Sequence, residues 1–212
     1  HYLEHARRQT DKSLEMVWQT SDDLSTMSCQ QLSLTHLTET NITTGVFYQG
    51  NYDSPPGICW DHYCADNPIM DSPQFGGNNV QSVVDSFANT ARNFAAHGRS
   101  QHVMMLMGSD FQYMNAIEFY DNLDKLIRLS TNSKLRVFYS TPSCYTAAMR
   151  RQASANLPTK RCVYIVVQAK RTLPSDDFFP YASDPHAYWT GYFTSRPAHK
   201  LLVRRASAFL QL

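Results

Sequence analysis

The carboxylate of Asp110 is the first candidate for chemistry in this sequence. It follows an apolar run at 102–107 and a glycine, and in α/β proteins functional groups collect where strands end. A carboxyl group placed among aromatic residues such as Phe111 and Tyr113 would have a raised pKa, because burial disfavours its charged form, and a general acid requires such a pKa. The alternative is that Asp110 caps a helix predicted over 113–130, and position alone does not separate the two.

Three other polar residues lie in turn-rich segments. Tyr52 and Asp53 directly precede a Ser-Pro-Pro-Gly turn, and Asp61 lies between two cysteines. Each carboxylate alone is more typical of a turn cap than of a catalytic group. The eight histidines show no H-E-x-x-H or H-x-H pattern, so their spacing does not predict a complete metal site.

Aromatic residues are dense between positions 178 and 193. Eight of these sixteen residues are Phe, Tyr, Trp or His. Such rings beside Asp and His favour a sugar-binding platform, in which a ring covers the C–H face of a hexose. An aromatic satellite core beneath a long loop accounts equally well for the composition.

The five cysteines do not form a closed set of disulfides. Cys59 and Cys64 are five positions apart in a loop with Pro and Gly upstream, and such a pair can reach disulfide geometry. Two free thiols of a cytosolic protein are the alternative, and a metal pair is less favoured. Asn41 begins an Asn-Ile-Thr glycosylation sequon in a segment that reads as an exposed loop. Together these features favour a secretory or endolysosomal protein.

The charge balance and hydropathy exclude two classes of partner. Lys plus Arg number 19 and Asp plus Glu number 18, so nothing electrostatic favours nucleic acid or an anionic membrane. No apolar run reaches the length of a membrane span, and we expect none. The opening segment reads like the interior of a longer polypeptide.

The hydrophobic periodicity predicts an α/β protein with a buried, parallel sheet. With 42% apolar residues among 212, the chain can bury a substantial core. Two or three strands are too few for a complete barrel, so the chain is predicted to be a fragment. The predicted elements are a mostly exposed helix over 2–19, an irregular surface over 20–78 with one strand at 45–48, a helix from 79, a strand over 102–107, a helix over 113–130, a strand over 135–139, a helix starting at Ser140-Thr141-Pro142, and a last helix over 197–211.

Several motifs occur in one order along nearly the whole chain. They are Lys12-Ser13-Leu14-Glu15-Met16-Val17-Trp18, Cys59-Trp60-Asp61, Met107-Gly108-Ser109-Asp110-Phe111, Tyr139-Ser140-Thr141-Pro142, Asp176-Asp177-Phe178-Phe179-Pro180-Tyr181 and Tyr188-Trp189-Thr190-Gly191-Tyr192. This series resembles glycoside hydrolase family 38, the family of lysosomal-type α-mannosidases.

The resemblance implies a zinc-dependent retaining exo-α-mannosidase built on a seven-stranded, barrel-like α/β domain. It implies that Asp110 is the acid/base, that Trp189 packs against the mannose, and that Tyr52 and Asp53 lie near the sugar hydroxyls. The implied substrate is terminal α-linked mannose on N-glycan-type oligosaccharides. The implied location is the lysosome or the secretory pathway.

The resemblance also implies that important groups lie outside residues 1–212. The family's zinc ligands and its nucleophile have no counterpart here. The chain therefore reads as one piece of the N-terminal catalytic domain with no internal boundary. We expect it to be inactive alone and to depend on the remainder of its own polypeptide. The partner implied for Cys144 is likewise outside. Residues 161–175 depart from the family spacing and read as an insertion. The β-like run at 163–167 within them is either a genuine edge strand or the product of a mispredicted exon boundary.

Two other classes of function remain open from the sequence. One is an inactive secreted carbohydrate-binding or scaffolding protein with a degenerate hydrolase fold. The other is a metal-dependent deacetylase on a related barrel, which would need its own His and Asp ligands.

Overall fold

The computed structural model describes residues 2–19, 41–64, 66–72, 74, 77–153, 157–162, 175–176, 178 and 180–211. Within these residues the chain forms two compact units. The first runs from Tyr2 to Asp176, and the second consists of the described residues after Asp176. The predictions for 20–40 and for the β-like run at 163–167 lie outside the described residues. That residues 1–212 form one continuous piece of a larger domain stays a prediction.

The first unit contains a mixed four-stranded sheet with the strand order β2-β1-β3-β4. Strand β1 is central and pairs antiparallel with β2, so that Val17 lies opposite Thr43. It pairs parallel with β3, where Val17 lies opposite Thr159, and β3 pairs parallel with β4. The strands are β1 (Glu15–Gln19), β2 (Asn41–Gly45), β3 (Thr159–Cys162) and β4 (Ser175–Asp176).

The helix predicted over 2–19 is correct only for its first half. Helix α1 (Tyr2–Thr10) ends because Lys12 adopts a left-handed conformation with φ of 52°. The N–H of Ser13 then turns back to the carbonyl of Arg8 at 2.8 Å, which is how many helices terminate. The following residues enter the centre of the sheet, so Met16 is fully buried where an exposed helix was expected.

The other helices confirm the periodicity. The helix predicted after Pro142 begins there, and the hydroxyl of Thr141 accepts a hydrogen bond from the N–H of Cys144 at 3.3 Å. A short 3-10 helix covers Ser130–Ser133. The α-helices are α2 (Val80–His97), α3 (Ala116–Leu129), α4 (Pro142–Ala153), α5 (Gly191–Thr194) and α6 (Pro197–Leu210).

The buried face of α3 differs from the stripe that the sequence indicated. The apolar spacing within 113–130 predicts a buried stripe formed by Ile117, Tyr120, Leu123, Leu126 and Ile127. Leu123 and Leu126 are buried as predicted, but Ile117 and Tyr120 are 74% and 49% exposed. Phe119, which the stripe did not include, is buried instead. Both faces of α3 carry apolar residues, so periodicity alone could not select the one that packs.

The strands predicted over 102–107 and 135–139 are wrong. A strand needs hydrogen bonds to a neighbour, and neither segment pairs with another strand in the described part of the chain. Alternate side chains of both segments still pack against the core, namely Met105, Met107, Leu135 and Val137. The mixed α/β class is therefore shown. The described sheet is four-stranded and only partly parallel, rather than the barrel-like parallel sheet that was expected.

The core of the first unit fastens an irregular segment to two helices. Trp60 and Ile69 from the segment pack with Phe87 of α2 and Phe119 of α3. The buried Asn122 of α3 accepts the N–H of Ile69 at 2.7 Å. This segment without regular structure is therefore attached to α3 both by side-chain packing and by a hydrogen bond from its backbone.

The ends of the predicted insertion at 161–175 lie in the sheet. Arg161 is paired with Ser175, and Cys162 is paired with Asp176. Strand β4 lies at an edge of the sheet, whereas the run at 163–167, to which the edge-strand alternative applies, lies outside the described residues. That residues 161–175 are an insertion stays a prediction.

The second unit is small and exposed. Ala182 and Tyr188 form an antiparallel bridge, and helices α5 and α6 follow. The amine of Lys200 on α6 donates to the carbonyls of Gly191 and Tyr192, each at 2.9 Å. These bonds hold the start of α6 against α5.

Candidate active site

Two segments far apart in the sequence meet at Asp110. The hydroxyl of Tyr52 donates to Oδ1 of Asp110 at 2.5 Å, and the hydroxyl of Ser109 donates to Oδ1 of Asp53. Three residues that the sequence analysis singled out, Tyr52, Asp53 and Asp110, are therefore brought together. Two neighbouring residues of one segment, Tyr52 and Asp53, are thus bonded to two neighbouring residues of the other, Asp110 and Ser109.

Further bonds fix the backbone around this pair. The N–H of Gly108 donates to the hydroxyl of Ser54 at 2.9 Å, and the side-chain amide of Asn51 donates to Oδ2 of Asp53 at 2.6 Å. Both oxygens of Asp53 are thus occupied. Asp110 accepts through Oδ1 only, and its Oδ2 forms no hydrogen bond with the described residues. Asp110 is exposed, so this second oxygen is the more available one for a substrate.

The structure separates the two interpretations of Asp110. Helix α3 begins at Ala116 with Asn115 as its N-cap, so Asp110 does not cap it. The expected apolar enclosure is also missing among the described residues, since Phe111 is 79% exposed. Tyr113 faces away into the core, where its ring lies 4.8 Å from that of Phe119.

Asp61, which the sequence analysis assigned to a turn, contacts the segment that carries Asp110. Its Oδ2 accepts the N–H of Tyr113 at 2.6 Å, and its Oδ1 accepts the N–H of His62 at 2.6 Å. Asp61 is 5% exposed. Nothing in the sequence could show this contact, because the two partners are separated by 52 positions.

The turn around Asp110 is conformationally unusual. Phe111 and Tyr113 have φ of 62° and 68°, a region that residues other than glycine rarely occupy. Gly108, which precedes this turn, does not have a positive φ. The hydroxyl of Tyr113, whose pKa burial raises, donates to the carbonyl of Met107. This bond closes the turn.

Cys59 and Cys64 form a disulfide with a Cα–Cα distance of 5.5 Å. The amide nitrogen of Gln112 donates to their sulfurs at 3.0 and 3.4 Å. The disulfide therefore contacts the segment after Asp110. Cys144 is an exposed free thiol.

We expect peptide mapping of the 212-residue protein under non-reducing conditions to find Cys59 linked to Cys64. The short loop and the bonds from Gln112 hold the two sulfurs together. Cys144 should be alkylated without reduction and serves as the internal control. A Cys59 that is alkylated as readily as Cys144, or a link between Cys144 and Cys64, would contradict this expectation.

Trp189 lies in the second unit and is 46% exposed. Its ring lies 5.1 Å from that of Tyr181 in an edge-to-face contact and 5.8 Å from that of Tyr192. The indole N–H donates to the hydroxyl of Ser183 at 3.1 Å. These contacts fix the orientation of a half-exposed ring, which is what a sugar-stacking residue requires.

Among the described residues, no three His, Cys, Asp or Glu side chains lie close enough together to hold a metal ion. The isolated histidines of the sequence are exposed, namely His62, His102, His186 and His199. The part of the chain that the structure describes therefore does not fit a zinc ion. Nor does any helix within it have the length and apolarity needed to cross a membrane.

Comparison with known proteins establishes the family. The sequence profile of the Glycosyl hydrolases family 38 N-terminal domain matches residues 1–184. The chain belongs to glycosyl hydrolase family 38.

Its relatives are named α-mannosidases. Lysosomal α-mannosidase from Cavia porcellus is 37% identical over 216 residues, which cover 100% of this chain and 19% of the relative. Human lysosomal α-mannosidase is 38% identical over 94% of this chain and 18% of its own length. An α-mannosidase of Arabidopsis thaliana is 38% identical over 98% of this chain and 18% of its own length. The chain thus spans about a fifth of the length of these relatives.

Proposed function

We propose that this chain supplies the acid/base carboxylate and part of the sugar site of a retaining exo-α-mannosidase. The observation that carries the proposal is the pairing of Tyr52 with Asp110 beside Asp53, in a chain of family 38. The proposed substrate is terminal α-linked mannose on N-glycan-type oligosaccharides. The site would be completed by the barrel-like sheet of the whole catalytic domain.

Asp110 is the group that would protonate the departing glycosidic oxygen. A retaining glycosidase needs one carboxyl group for this step and another as nucleophile, about 5–5.5 Å away. After the leaving group departs, the Asp110 carboxylate would accept a proton from the attacking water. Tyr52, which donates to one oxygen of Asp110, orients the carboxyl group and leaves the other oxygen for the proton transfer.

Zinc and the nucleophile are proposed to be held by residues outside those described. The described residues form no cluster of metal ligands, so we assign no step of the reaction to a metal here. Zinc bound elsewhere in the complete enzyme would orient the sugar and stabilise charge.

The cellular setting is likewise a proposal. We place the protein in the lysosome or the secretory pathway, since relatives are named lysosomal α-mannosidases. The sequon at Asn41 begins strand β2 at an edge of the sheet, where a loop was expected.

Hydrolysis of an aryl α-mannoside tests the proposed function. The longest expressed polypeptide that contains this chain should release α-mannose as its first product, as NMR of the anomeric proton would show. The 212-residue chain alone should neither hydrolyse the substrate nor bind zinc stoichiometrically.

Three results would contradict the proposal. Release of β-mannose as the first product would exclude retention. Mannoside binding without turnover by the longest polypeptide would favour the alternative of an inactive carbohydrate-binding protein. Wild-type-like turnover by the 212-residue chain would show that the missing groups lie within it.

A further inference from the structure

Asp61 is a buried carboxylate that joins two segments of the chain. One of its oxygens accepts the N–H of His62 in its own loop, and the other accepts the N–H of Tyr113 across 52 positions. Both distances are 2.6 Å, which is short for a bond from a backbone N–H. A buried N–H that loses its acceptor is left unsatisfied at a cost in free energy, so this contact holds the backbone at Tyr113 firmly.

Tyr113 ends the turn at 108–113, which we name the Asp110 loop. Five of its six residues are hydrogen-bonded to residues between 52 and 64. The bonds join Gly108 to Ser54, Ser109 to Asp53, Asp110 to Tyr52, Gln112 to the disulfide sulfurs, and Tyr113 to Asp61. Asp61 is the one buried carboxylate in this set.

The Asp110 loop needs such a fastening because of its backbone. Its residues Phe111 and Tyr113 are left-handed, and non-glycine residues keep this conformation only when surrounding contacts determine it. Phe111 is too exposed to provide such contacts. The bond from Tyr113 to Asp61 acts directly on one of the two strained residues.

We propose that Asp61 is a positioning residue for Asp110. By holding the N–H of Tyr113, its carboxylate fixes the Asp110 loop in the conformation that presents the Asp110 carboxyl group beside Tyr52. The inference rests on the proposed function of Asp110. A displaced acid/base lowers the rate of hydrolysis most for substrates whose leaving group must be protonated in the rate-limiting step.

Two matched variants test the proposal in the longest expressed polypeptide that contains this chain. Asp61→Asn loses one of the two acceptor oxygens at a buried site. Asp66→Asn is the control, because Asp66 follows in the same segment and also accepts a backbone N–H, that of Cys59 at 2.9 Å. The bond of Asp66 does not reach the Asp110 loop.

The readout is the dependence on the leaving group. Asp61→Asn should lower kcat/KM about 10- to 100-fold on a natural mannoside, as expected when a reacting group is misplaced by about 1 Å. On a dinitrophenyl mannoside, whose leaving group needs little protonation, the loss in kcat/KM should stay within about threefold. Asp66→Asn should change neither value by more than about threefold.

Several results would overturn the inference. Equal losses on both substrates would indicate a merely structural role for Asp61. Unchanged kcat/KM on the natural mannoside, or a loss that Asp66→Asn reproduces, would show that Asp61 does not position Asp110. Asp110→Asn assayed in parallel separates the two proposals. If the Asp110→Asn variant is fully active, the proposed function fails. If Asp110→Asn lowers kcat/KM and Asp61→Asn does not, only the proposed role of Asp61 is rejected.

Amide hydrogen exchange on the unaltered 212-residue chain keeps the inference testable if Asp61→Asn does not fold. The amide of Tyr113 should be protected from exchange, as should that of His62, because both donate to the same buried carboxylate. Exchange of the Tyr113 amide at the rate of an unstructured peptide would overturn the inference.

Discussion

Replacing Asp110 by Asn should slow hydrolysis of natural mannosides by about 10²- to 10⁴-fold, the usual contribution of a general acid/base. The amide cannot deliver a proton to the glycosidic oxygen, although it can still accept the hydrogen bond from Tyr52. The assay is kcat/KM on a mannose-terminated oligosaccharide, with the longest expressed polypeptide that contains this chain.

Comparing substrates with different leaving groups distinguishes the loss of an acid/base from a general loss of activity. A dinitrophenyl mannoside needs little protonation, so its glycosylation step should suffer far less than that of a natural substrate. The intermediate should then accumulate because no base activates water, and added azide should speed turnover, since azide attacks without losing a proton.

A matched control is available on helix α3. Asp124 is also an exposed aspartate that accepts a tyrosine hydroxyl, that of Tyr139 at 2.8 Å. Asp124→Asn should keep near-normal turnover. If Asp110→Asn behaves like Asp124→Asn on a natural mannoside, Asp110 is only a structural partner of Tyr52.

Phe119→Ala should destabilise the first unit by about 3–5 kcal/mol, the usual cost of removing a buried Phe side chain. Phe119 is fully buried, and its ring contacts Trp60 edge-to-face at a centroid distance of 6.1 Å. It also lies against the ring of Tyr113. Its loss therefore leaves a cavity beneath the Asp110 loop and beneath the irregular segment at 58–69, which carries the disulfide and which we name the disulfide segment. Urea unfolding of the 212-residue chain measures the change in the free energy of unfolding.

Phe138→Ala is the control for this change. Phe138 is 57% exposed, and its contact with the guanidinium of Arg136 at 5.5 Å is worth about 1 kcal/mol or less at an exposed site. A comparable loss of stability in both variants would show that Phe119 does not occupy the centre of the core.

The amphipathic helices could be predicted from the sequence because local signals determine them. The apolar spacing in α2 predicts a buried stripe that includes Val84 and Phe87, and both are buried. The start of α4 at Thr141-Pro142 is determined by neighbouring residues alone, a hydroxyl cap followed by a proline. The order of the motifs along the sequence was sufficient to identify the family, because several motifs rarely occur in the same order by chance. The role of Asp110 also came from the sequence and stays a prediction.

Strand pairing was decided only by the tertiary structure. The apolar runs at 102–107 and 135–139 have strand-like composition, but a strand also needs a partner, and composition carries no information about partners. The reverse error occurred at Glu15–Gln19. That segment looked like the end of a helix and became the centre of a sheet, because strands from distant parts of the chain pair with both of its edges.

The supports of the candidate site were also decided by the tertiary structure. The sequence identified Tyr52, Asp53 and Asp110 separately, but their contacts with one another arise from the packing of the disulfide segment against α2 and α3. Asp61 looked like an ordinary turn residue for the same reason. The sequence shows that a carboxylate can accept hydrogen bonds, but only the fold determines which donors lie within reach of it. Here the donors and acceptors are more than fifty positions apart in the sequence.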